Sequence, residues 1–247
     1  MKKTLLGLAL FVAATPAAAR VGEGPAPASD RPVGDYRVIG HGTNDYVGTL
    51  RVARDGDGYA FRWLIGGPSN AQGYVGMGVK LGDAVAVVYG SGPNRLDGFG
   101  LYRYGSTGLH GYWTTGPDSP LFWESGTRRG GAAPAIPAPT KPLVGRYEVN
   151  GERADGARYT STLEITTDGP GYRLRWTGPG GGDTAAAYAI RLGDDLAALG
   201  FAGQRSSLGV YHITANGLDG RWSADVRRGV GRETARRVET PPAVGGR

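Results

Sequence analysis

The sequence contains no cysteine and only three histidines in 247 residues. Without cysteine the chain can form no disulfide, no thiolate nucleophile and no thiolate metal site. His41, His110 and His212 form no His-x-His or His-x-x-x-His pair, the spacings at which two histidines commonly bind one metal ion. We therefore expect surface roles for the histidines, no metal, no cofactor, and a fold stabilised by hydrophobic cores alone.

The motifs of common enzyme classes are also missing. The sequence has no G-x-S-x-G nucleophile turn, no phosphate-binding Walker loop, no HExxH and no C-x-x-C. The formal net charge is only +6, and this value includes Lys2 and Lys3 near the N-terminus. We therefore expect no enzyme activity, no catalytic residues and no nucleic-acid partner.

Two glutamates keep one enzymatic alternative open. Glu124 and Glu233 each lie shortly before a pair of arginines. We interpret the two glutamates as members of cross-strand ion pairs, with Arg62 or Arg175 as the partner. A hydrolase that uses one of these carboxylates is the alternative hypothesis.

Long hydrophobic runs are scarce as well. The apolar run from Leu5 to Ala14 is far shorter than the roughly 20 residues that a membrane-spanning helix needs. It follows Lys2 and Lys3 and precedes the small residues 17–19, an order typical of a secretory signal peptide. The sequence thus predicts a signal peptide over residues 1–19, no transmembrane segment, and export to the periplasm or the medium.

What the chain does contain is a duplication. Residues 33–38 return as residues 144–149, and further landmarks follow in the same order in both copies. We place copy one at residues 32–129 and copy two at residues 143–238, each near the common size of a domain. The Gly/Ala/Pro-rich stretch 130–142 between them is typical of a semi-rigid spacer, and residues 20–31 and 239–247 are predicted to be disordered tails.

Each copy has the pattern of an all-β domain. The 45 glycines and 16 prolines separate short runs of alternating polar and apolar residues. Tyr59, Phe61, Trp63 and Ile65, for example, fall on one face of a strand. About eight antiparallel strands per copy favour a small closed up-and-down barrel, because closure removes the exposed edges. A two-sheet sandwich is the alternative, and helices should be short or absent.

Several motifs carry a family resemblance. Gly34-x-Tyr36-x-Val38, Tyr59-x-x-x-Trp63, Leu81-Gly82-Asp83 and Gly108-Leu109-x-Gly111-x-Trp113 resemble an exported bacterial domain family of poorly known function, some members of which carry a fibronectin-binding label. Copy two departs from the pattern at Ser161 and at Tyr188-Ala189. The resemblance implies no binding residues. A weaker likeness is to avidin-like and lipocalin-like barrels, which hold small ligands inside about eight strands.

Inward-facing aromatic residues are the candidate ligand site, since aromatic rings with a polar tip suit pockets. The same residues have a purely structural interpretation, because the interior of an eight-stranded barrel is only just wide enough for side chains. Trp123 is a separate candidate for an exposed contact or for packing at the rim, since copy two has Arg232 there. The candidate ligand-binding residues are Trp63, Tyr102 and Trp113 in copy one and Trp176, Tyr211 and Trp222 in copy two.

The function that the sequence favours is binding. We expect an exported, monomeric, non-enzymatic module whose ligand is a protein, a glycan or a small apolar molecule, and whose two copies gain avidity when both engage. A structural component of the cell envelope is the first alternative, and the carboxylate hydrolase is the second.

Cleavage of the signal peptide is directly testable. If the A-x-A rule holds, the chain produced by a secreting bacterial host should begin at Arg20. Intact-mass measurement and N-terminal sequencing of the protein from periplasm and medium would check this. Recovery of a chain that still begins at Met1 from the membrane fraction would contradict export by this route.

Overall fold

The structure is a computed structural model that describes residues 32–67, 69–92, 95–128, 130–202 and 205–238. The predicted signal peptide and both predicted tails lie outside the described residues. Within the described ranges the chain forms sixteen strands and one 3₁₀ turn, Val226–Arg228. No helix in this part of the chain has the length and apolar character needed to cross a membrane.

The strands divide evenly between the two copies. Copy one contains β1 (Gly34–His41), β2 (Asp45–Asp55), β3 (Gly58–Ile65), β4 (Gln72–Leu81), β5 (Ala84–Gly90), β6 (Gly98–Tyr104), β7 (Gly108–Thr114) and β8 (Phe122–Thr127). Copy two contains β9 (Gly145–Glu152), β10 (Arg158–Asp168), β11 (Gly171–Thr177), β12 (Asp183–Leu192), β13 (Asp195–Ala202), β14 (Arg205–Ile213), β15 (Gly217–Ser223) and β16 (Gly231–Arg237).

Each copy closes into an eight-stranded antiparallel barrel, and we call the two barrel one and barrel two. Every strand pairs with its sequence neighbours, and the ring closes where β1 pairs with β8 and where β9 pairs with β16. The predicted all-β barrel is confirmed, and the sandwich alternative is wrong. The predicted alternation along β3 is also confirmed. Tyr59, Phe61 and Trp63 are buried, whereas Arg62 and Leu64, which alternate with them, are exposed.

One end of each barrel is closed by a tyrosine under an arginine. Arg128 lies over the ring of Tyr36 and donates from Nη2 to the Tyr36 hydroxyl at 2.9 Å. Arg237 does the same in barrel two, where its Nη2 donates to the hydroxyl of Tyr147 at 2.6 Å. Both arginines belong to the arginine pairs that follow Glu124 and Glu233 in the sequence. Their partners are therefore tyrosines and backbone carbonyls at the barrel end.

The two barrels pack side by side through the same strands of each copy, β4–β7 against β12–β15. Phe99 and Tyr188 meet there edge to face, with ring centroids 6.2 Å apart. Because equivalent strands face each other, the interface is close to twofold symmetric. Its buried apolar residues include Val79, Ala84, Ala86, Phe99 and Leu101 from barrel one and Ile190, Leu192, Ala197, Leu199, Leu208 and Val210 from barrel two.

The segment between the copies is attached to both barrels. Ala132 bonds to Thr107 of barrel one, and Ile136 packs against the shared apolar cluster. Near its end, the carboxylate of Asp194 accepts hydrogen bonds from the backbone N–H groups and side chains of Thr140 and Lys141. These bonds hold the pKa of Asp194 well below its usual range. Barrels and spacer therefore form one packed unit, which limits the independent movement that avidity between the copies would need.

Leu101 tests the importance of the contact between barrels. Its side chain points out of barrel one and is fully buried in the shared cluster. Leu101→Ala should lower the free energy of unfolding by about 2–5 kcal/mol, measured by urea denaturation with a single transition for both barrels. The matched control is Leu64→Ala, whose side chain also points outward but is 52% exposed and should change stability by less than about 0.5 kcal/mol. Equal effects would contradict this description of the interface.

Candidate functional site

The centre of barrel one holds a buried carboxyl group surrounded by aromatic donors. Glu124 is 3% exposed. Its Oε2 accepts a hydrogen bond from the Tyr46 hydroxyl at 2.9 Å, and its Oε1 accepts one from Trp63 Nε1 at 3.0 Å. The Tyr102 hydroxyl also faces the carboxyl and lowers its pKa by hydrogen bonding, and Trp113 Nε1 donates to the Tyr46 oxygen at 3.1 Å. We call this set of five side chains the Glu–Tyr–Trp network.

Barrel two contains the same network at matching positions. Glu233 is 4% exposed and accepts from Tyr159 at 2.7 Å, from Trp176 Nε1 at 3.2 Å and from Tyr211 at 3.2 Å. Trp222 takes the place of Trp113 and lies beside Tyr159 with ring centroids 6.3 Å apart. Its indole N–H is buried and has no hydrogen-bond partner among the described residues. The two networks therefore use the same residue types at matching positions.

Glycines on the neighbouring strands make room for each network. Glu124 lies directly opposite Gly40 of β1 and Gly111 of β7, and Glu233 lies opposite the matching glycines of β9 and β15. A Cβ at Gly40 would overlap the ring of Tyr46, and a Cβ at Gly111 would overlap the backbone at Leu101 and Tyr102. The two residues opposite the carboxyl therefore have no side chain, which leaves the space around it to its three aromatic donors.

The network corrects our interpretation of the two glutamates as members of ion pairs. Among the described residues neither Glu124 nor Glu233 pairs with Arg62 or Arg175. Burial raises the pKa of both carboxyls, although the tyrosine and tryptophan donors oppose this effect. Burial and the adjacent carboxyl also raise the pKa of Tyr46 and Tyr102, so these hydroxyls remain protonated donors.

A cavity of about 730 Å³ opens above the network of barrel one. Its floor includes Glu124, and its polar rim comes from the loops at the end where β1 joins β2 and β5 joins β6. We call this end the mouth. Tyr89 contacts Trp63, Tyr74 and Trp113, each edge to face with ring centroids 6.0–6.2 Å apart. The aromatic wall of the cavity consists of Tyr46, Trp63, Tyr74, Tyr89, Tyr102 and Trp113.

Barrel two keeps the four network aromatics of this wall but lacks its other two members, Tyr74 and Tyr89. The strand registers place Ala185 where barrel one has Tyr74, and Gly200 where it has Tyr89. Gly231 likewise replaces Phe122, whose ring lies 4.5 Å from that of Trp113. The networks are shared by both copies, whereas the aromatic mouth belongs to copy one.

One polar atom in the cavity wall has no partner. The Tyr89 hydroxyl is buried and makes no hydrogen bond with any described residue. Burial, nearby tyrosine and the acids Asp97 and Glu124 all raise its pKa, so it is a neutral O–H group. An orphaned buried hydroxyl is unfavourable unless water or a ligand completes its bonding.

The mouths of the two barrels open on different sides of the molecule. The loop between β15 and β16 lies at the mouth of barrel two, and Val226 in that loop packs against Gly58 of barrel one. Gly58 follows the β2–β3 turn, which is at the end of barrel one opposite its mouth. The Asp57 backbone N–H donates to the Val226 carbonyl at 3.1 Å, and Arg227 pairs with Asp55. Each mouth therefore has its own access to solvent.

All six candidate ligand residues from the sequence lie in the two networks, three in each barrel. Ligand binding by them stays a prediction, since four of the six donate hydrogen bonds to the buried carboxyls. Sequence reasoning missed Tyr74 and Tyr89 as wall residues. The signal that could have revealed them is that aromatic residues in one copy are replaced by alanine and glycine in the other.

The remaining candidates lie outside the cavity. Trp123 is 38% exposed on the outer surface near the mouth of barrel one. His41 bonds to Asp45 at 2.6 Å, His212 bonds to Asp195 at 3.0 Å, and His110 lies beside Trp123. The described residues contain no group of three or more His, Cys, Asp or Glu side chains that could hold a metal ion.

Comparison with known proteins leaves the family open. No model of a known protein family matches the chain, and no curated protein matches it. Among solved structures, the chain is similar to a protein of unknown function from the DUF3598 family of Nostoc punctiforme, with 13% sequence identity. The match covers 84% of this chain and 97% of the other, with a TM-score of 0.32. The fibronectin-binding label and the avidin-like and lipocalin-like resemblance stay predictions.

Replacement of Glu124 by Gln separates a structural role from a catalytic one. Gln offers one acceptor oxygen and one NH₂ group where three donors converge, so one donor loses its partner. We expect Glu124→Gln and its counterpart Glu233→Gln each to lower the free energy of unfolding by about 1–3 kcal/mol, measured as a fall in Tm of several degrees. Glu164→Gln, on the exposed face of β10, is the control and should have little effect.

The pH dependence of this loss sharpens the test. A carboxyl whose folded pKa is raised stabilises the fold fully below its unfolded pKa, about 4.3 for Glu, and loses that contribution as pH rises through the folded pKa. The stability gap between wild type and Glu124→Gln should therefore be larger at pH 4 than at pH 8. A gap that grows with pH, or an unchanged Tm, would contradict this account of the network.

Proposed function

We propose that the protein is an exported, non-enzymatic binding protein whose first barrel takes a small, largely apolar ligand through its mouth. The observation that carries the proposal is the cavity of about 730 Å³ with its wall of aromatic rings. Ligand pockets in proteins usually have volumes of roughly 300–1,000 Å³, are mainly apolar, and contain a few polar groups that orient the ligand.

Polar atoms in the cavity supply the orienting contacts. The orphaned Tyr89 hydroxyl lies in the wall and is free to donate to an acceptor on the ligand. Its bonding would be completed when such a ligand enters, so the ligand class we propose is a flat or aromatic molecule with at least one hydrogen-bond acceptor. A protein or a glycan would have to insert a side chain or a sugar ring to make the same contacts.

Barrel two has a supporting role in this proposal. It keeps the buried network and the barrel fold, but Ala185 and Gly200 replace the two outer wall residues, Tyr74 and Tyr89, at its mouth. Its outer surface forms half of the interface that buries strands β4–β7 of barrel one. Barrel two therefore stabilises barrel one, and we expect one ligand per chain.

The hydrolase alternative has one supporting observation. Glu124 and Asp97 both line the cavity, and their environments shift the two pKa values in opposite directions, upward for Glu124 and downward for Asp97. However, the oxygens of Glu124 are already occupied by three donors, and those of Asp97 accept from Ser91 and Arg95. Barrel two repeats the glutamate network with a different mouth, which favours a structural role for the glutamate.

Binding can be tested with a neutral fluorescent probe, N-phenyl-1-naphthylamine, and the chain that begins at Arg20. We expect saturable binding of one probe per chain, and roughly tenfold weaker binding by Tyr74→Ala, which removes an aromatic wall from the mouth. The measurement is a fluorescence titration, followed by displacement of the probe with a panel of metabolites, glycans and matrix proteins.

Trp123→Ala provides the matched control, because this aromatic side chain lies near the mouth but outside the barrel. It should leave the affinity for the probe unchanged. Two probes per chain, or equal losses with Tyr74→Ala and Trp123→Ala, would overturn the assignment to the cavity. Absence of saturable binding by the probe and by the whole panel would instead favour the structural envelope component.

A further inference from the structure

Exposed apolar side chains surround the mouth of barrel one on its outer surface. Among the large apolar residues, five lie in the strands near the mouth and are 38–52% exposed, and a sixth, Leu96, is 45% exposed in the β5–β6 loop at the same end. The five occupy neighbouring strands, since Ile39 pairs with Val47 and His41, next along β1, pairs with Trp123. We call this set the apolar belt, and its members are Ile39, Val47, Leu64, Val75 and Trp123.

Barrel two has no such belt at the matching positions. The strand registers place Asn150 where barrel one has Ile39, and Thr160 where it has Val47. The remaining three positions hold Thr177, Ala186 and Arg232. The shared fold therefore does not require the belt, and its exposed apolar surface needs a separate explanation.

Unpaired positive charges lie directly behind the belt. Arg37 is two residues from Ile39 on the same face of β1, and Arg62 is two residues from Leu64 and directly opposite Val75. Both arginines are exposed, and neither forms an ion pair within the described residues. In barrel two the matching residues are paired: Glu148 with Arg236 at 2.5 Å, and Arg175 with Asp183 at 3.7 Å.

Of the acidic groups near the mouth, two have hydrogen-bond partners and a third faces elsewhere. Asp45 bonds to His41 at 2.6 Å, and Asp97 bonds to Arg95 at 2.5 Å. Asp118, in the loop between β7 and β8, lies toward barrel two, where it contributes to the raised pKa of Tyr188. With histidine counted as neutral, Arg37, Arg62 and Arg95 outnumber Asp45 and Asp97, so the formal net charge beside the belt is positive.

We propose that barrel one docks mouth-first on an anionic lipid surface, with the apolar belt entering the boundary between headgroups and acyl chains. The belt lies within about three residues of the strand ends, or roughly 10 Å at 3.4 Å per residue. This matches the depth of about 5–10 Å to which interfacial protein elements enter that boundary. Arg37 and Arg62 then lie at the level of the lipid phosphates, which arginine binds well.

The shape of the belt favours lipid over another folded partner. It follows the convex outer wall of the barrel over five adjacent strands, from β8 through β1 to β4. A rigid protein surface would need a matching collar, whereas a fluid bilayer adapts to a convex apolar ring. The barrel-to-barrel interface uses β4–β7, so most of the belt strands face away from barrel two and its mouth.

Vesicle flotation with the chain that begins at Arg20 tests this proposal. We expect binding to vesicles of phosphatidylcholine with one part phosphatidylglycerol in three, and weaker binding to phosphatidylcholine alone. The combined variant Ile39→Asn, Val47→Thr, Leu64→Thr and Trp123→Arg introduces the residues of barrel two, which that fold already accepts. It should reduce partitioning at least tenfold with an unchanged Tm.

Two further variants control for composition and charge. Val144→Thr with Val238→Thr removes two valines that are 48% and 37% exposed at the closed end of barrel two, and should leave partitioning unchanged. Arg37→Gln and Arg62→Gln should each weaken binding to anionic vesicles about fivefold with no effect on neutral ones.

Three outcomes would overturn the proposal. The first is absence of binding to either vesicle, and the second is equal binding by the wild type and the belt variant. The third is a dimer in sedimentation velocity without lipid that the belt variant abolishes, because this would assign the belt to contact between two copies of the chain. None of these results bears on probe binding in the cavity, so the two proposals fail or succeed independently.

Discussion

A carboxyl group buried inside an eight-stranded barrel must find hydrogen-bond donors there, and this constraint organises both halves of the protein. Leaving such a group unpaired would cost several kcal/mol, by the order of magnitude expected for buried polar groups. In barrel one Tyr46, Trp63 and Tyr102 meet this need for Glu124. The ring of Tyr46 leaves no room for a Cβ at Gly40 opposite the glutamate, and the backbone of β6 leaves none at Gly111 on its other side. One interaction thus explains why tyrosine, tryptophan and glycine recur together in the two copies.

The duplicated network separates what the fold needs from what one copy has added. Both barrels keep the buried glutamate, the closing tyrosine–arginine contact and the interface strands. Barrel one alone combines the aromatic wall at Tyr74 and Tyr89 with the apolar belt outside it. Cavity and belt share one end of the barrel, so a ligand that dissolves in lipid could pass from a membrane surface into the cavity. Ligand binding in the cavity and lipid docking by the belt are tested separately, but both involve apolar molecules at the same end of barrel one.

Much of this architecture was predictable, because strand alternation and turn glycines are local properties of the chain. The face formed by Tyr59, Phe61 and Trp63 and the order of the repeated landmarks were enough for an all-β tandem barrel. Burial of Glu124 was not predictable, since glutamate is rarely buried and the glycines that make room for it become its neighbours only once the strand register is known. The cavity depends on single differences between the copies, such as Tyr89 in one and Gly200 in the other. The repeat pattern alone does not show which of these differences matter.

The central claim is that both barrels keep the same buried glutamate network and that only barrel one binds a ligand. The chain has five tryptophans, so a single fluorine NMR spectrum can test this claim. The protein is labelled with 5-fluorotryptophan, and the resonances are assigned with Trp→Phe variants. Titration with N-phenyl-1-naphthylamine should shift the fluorine resonances of Trp63 and Trp113 and leave those of Trp176 and Trp222 in place. Equal shifts in both pairs, or shifts of Trp176 and Trp222 alone, would contradict the account.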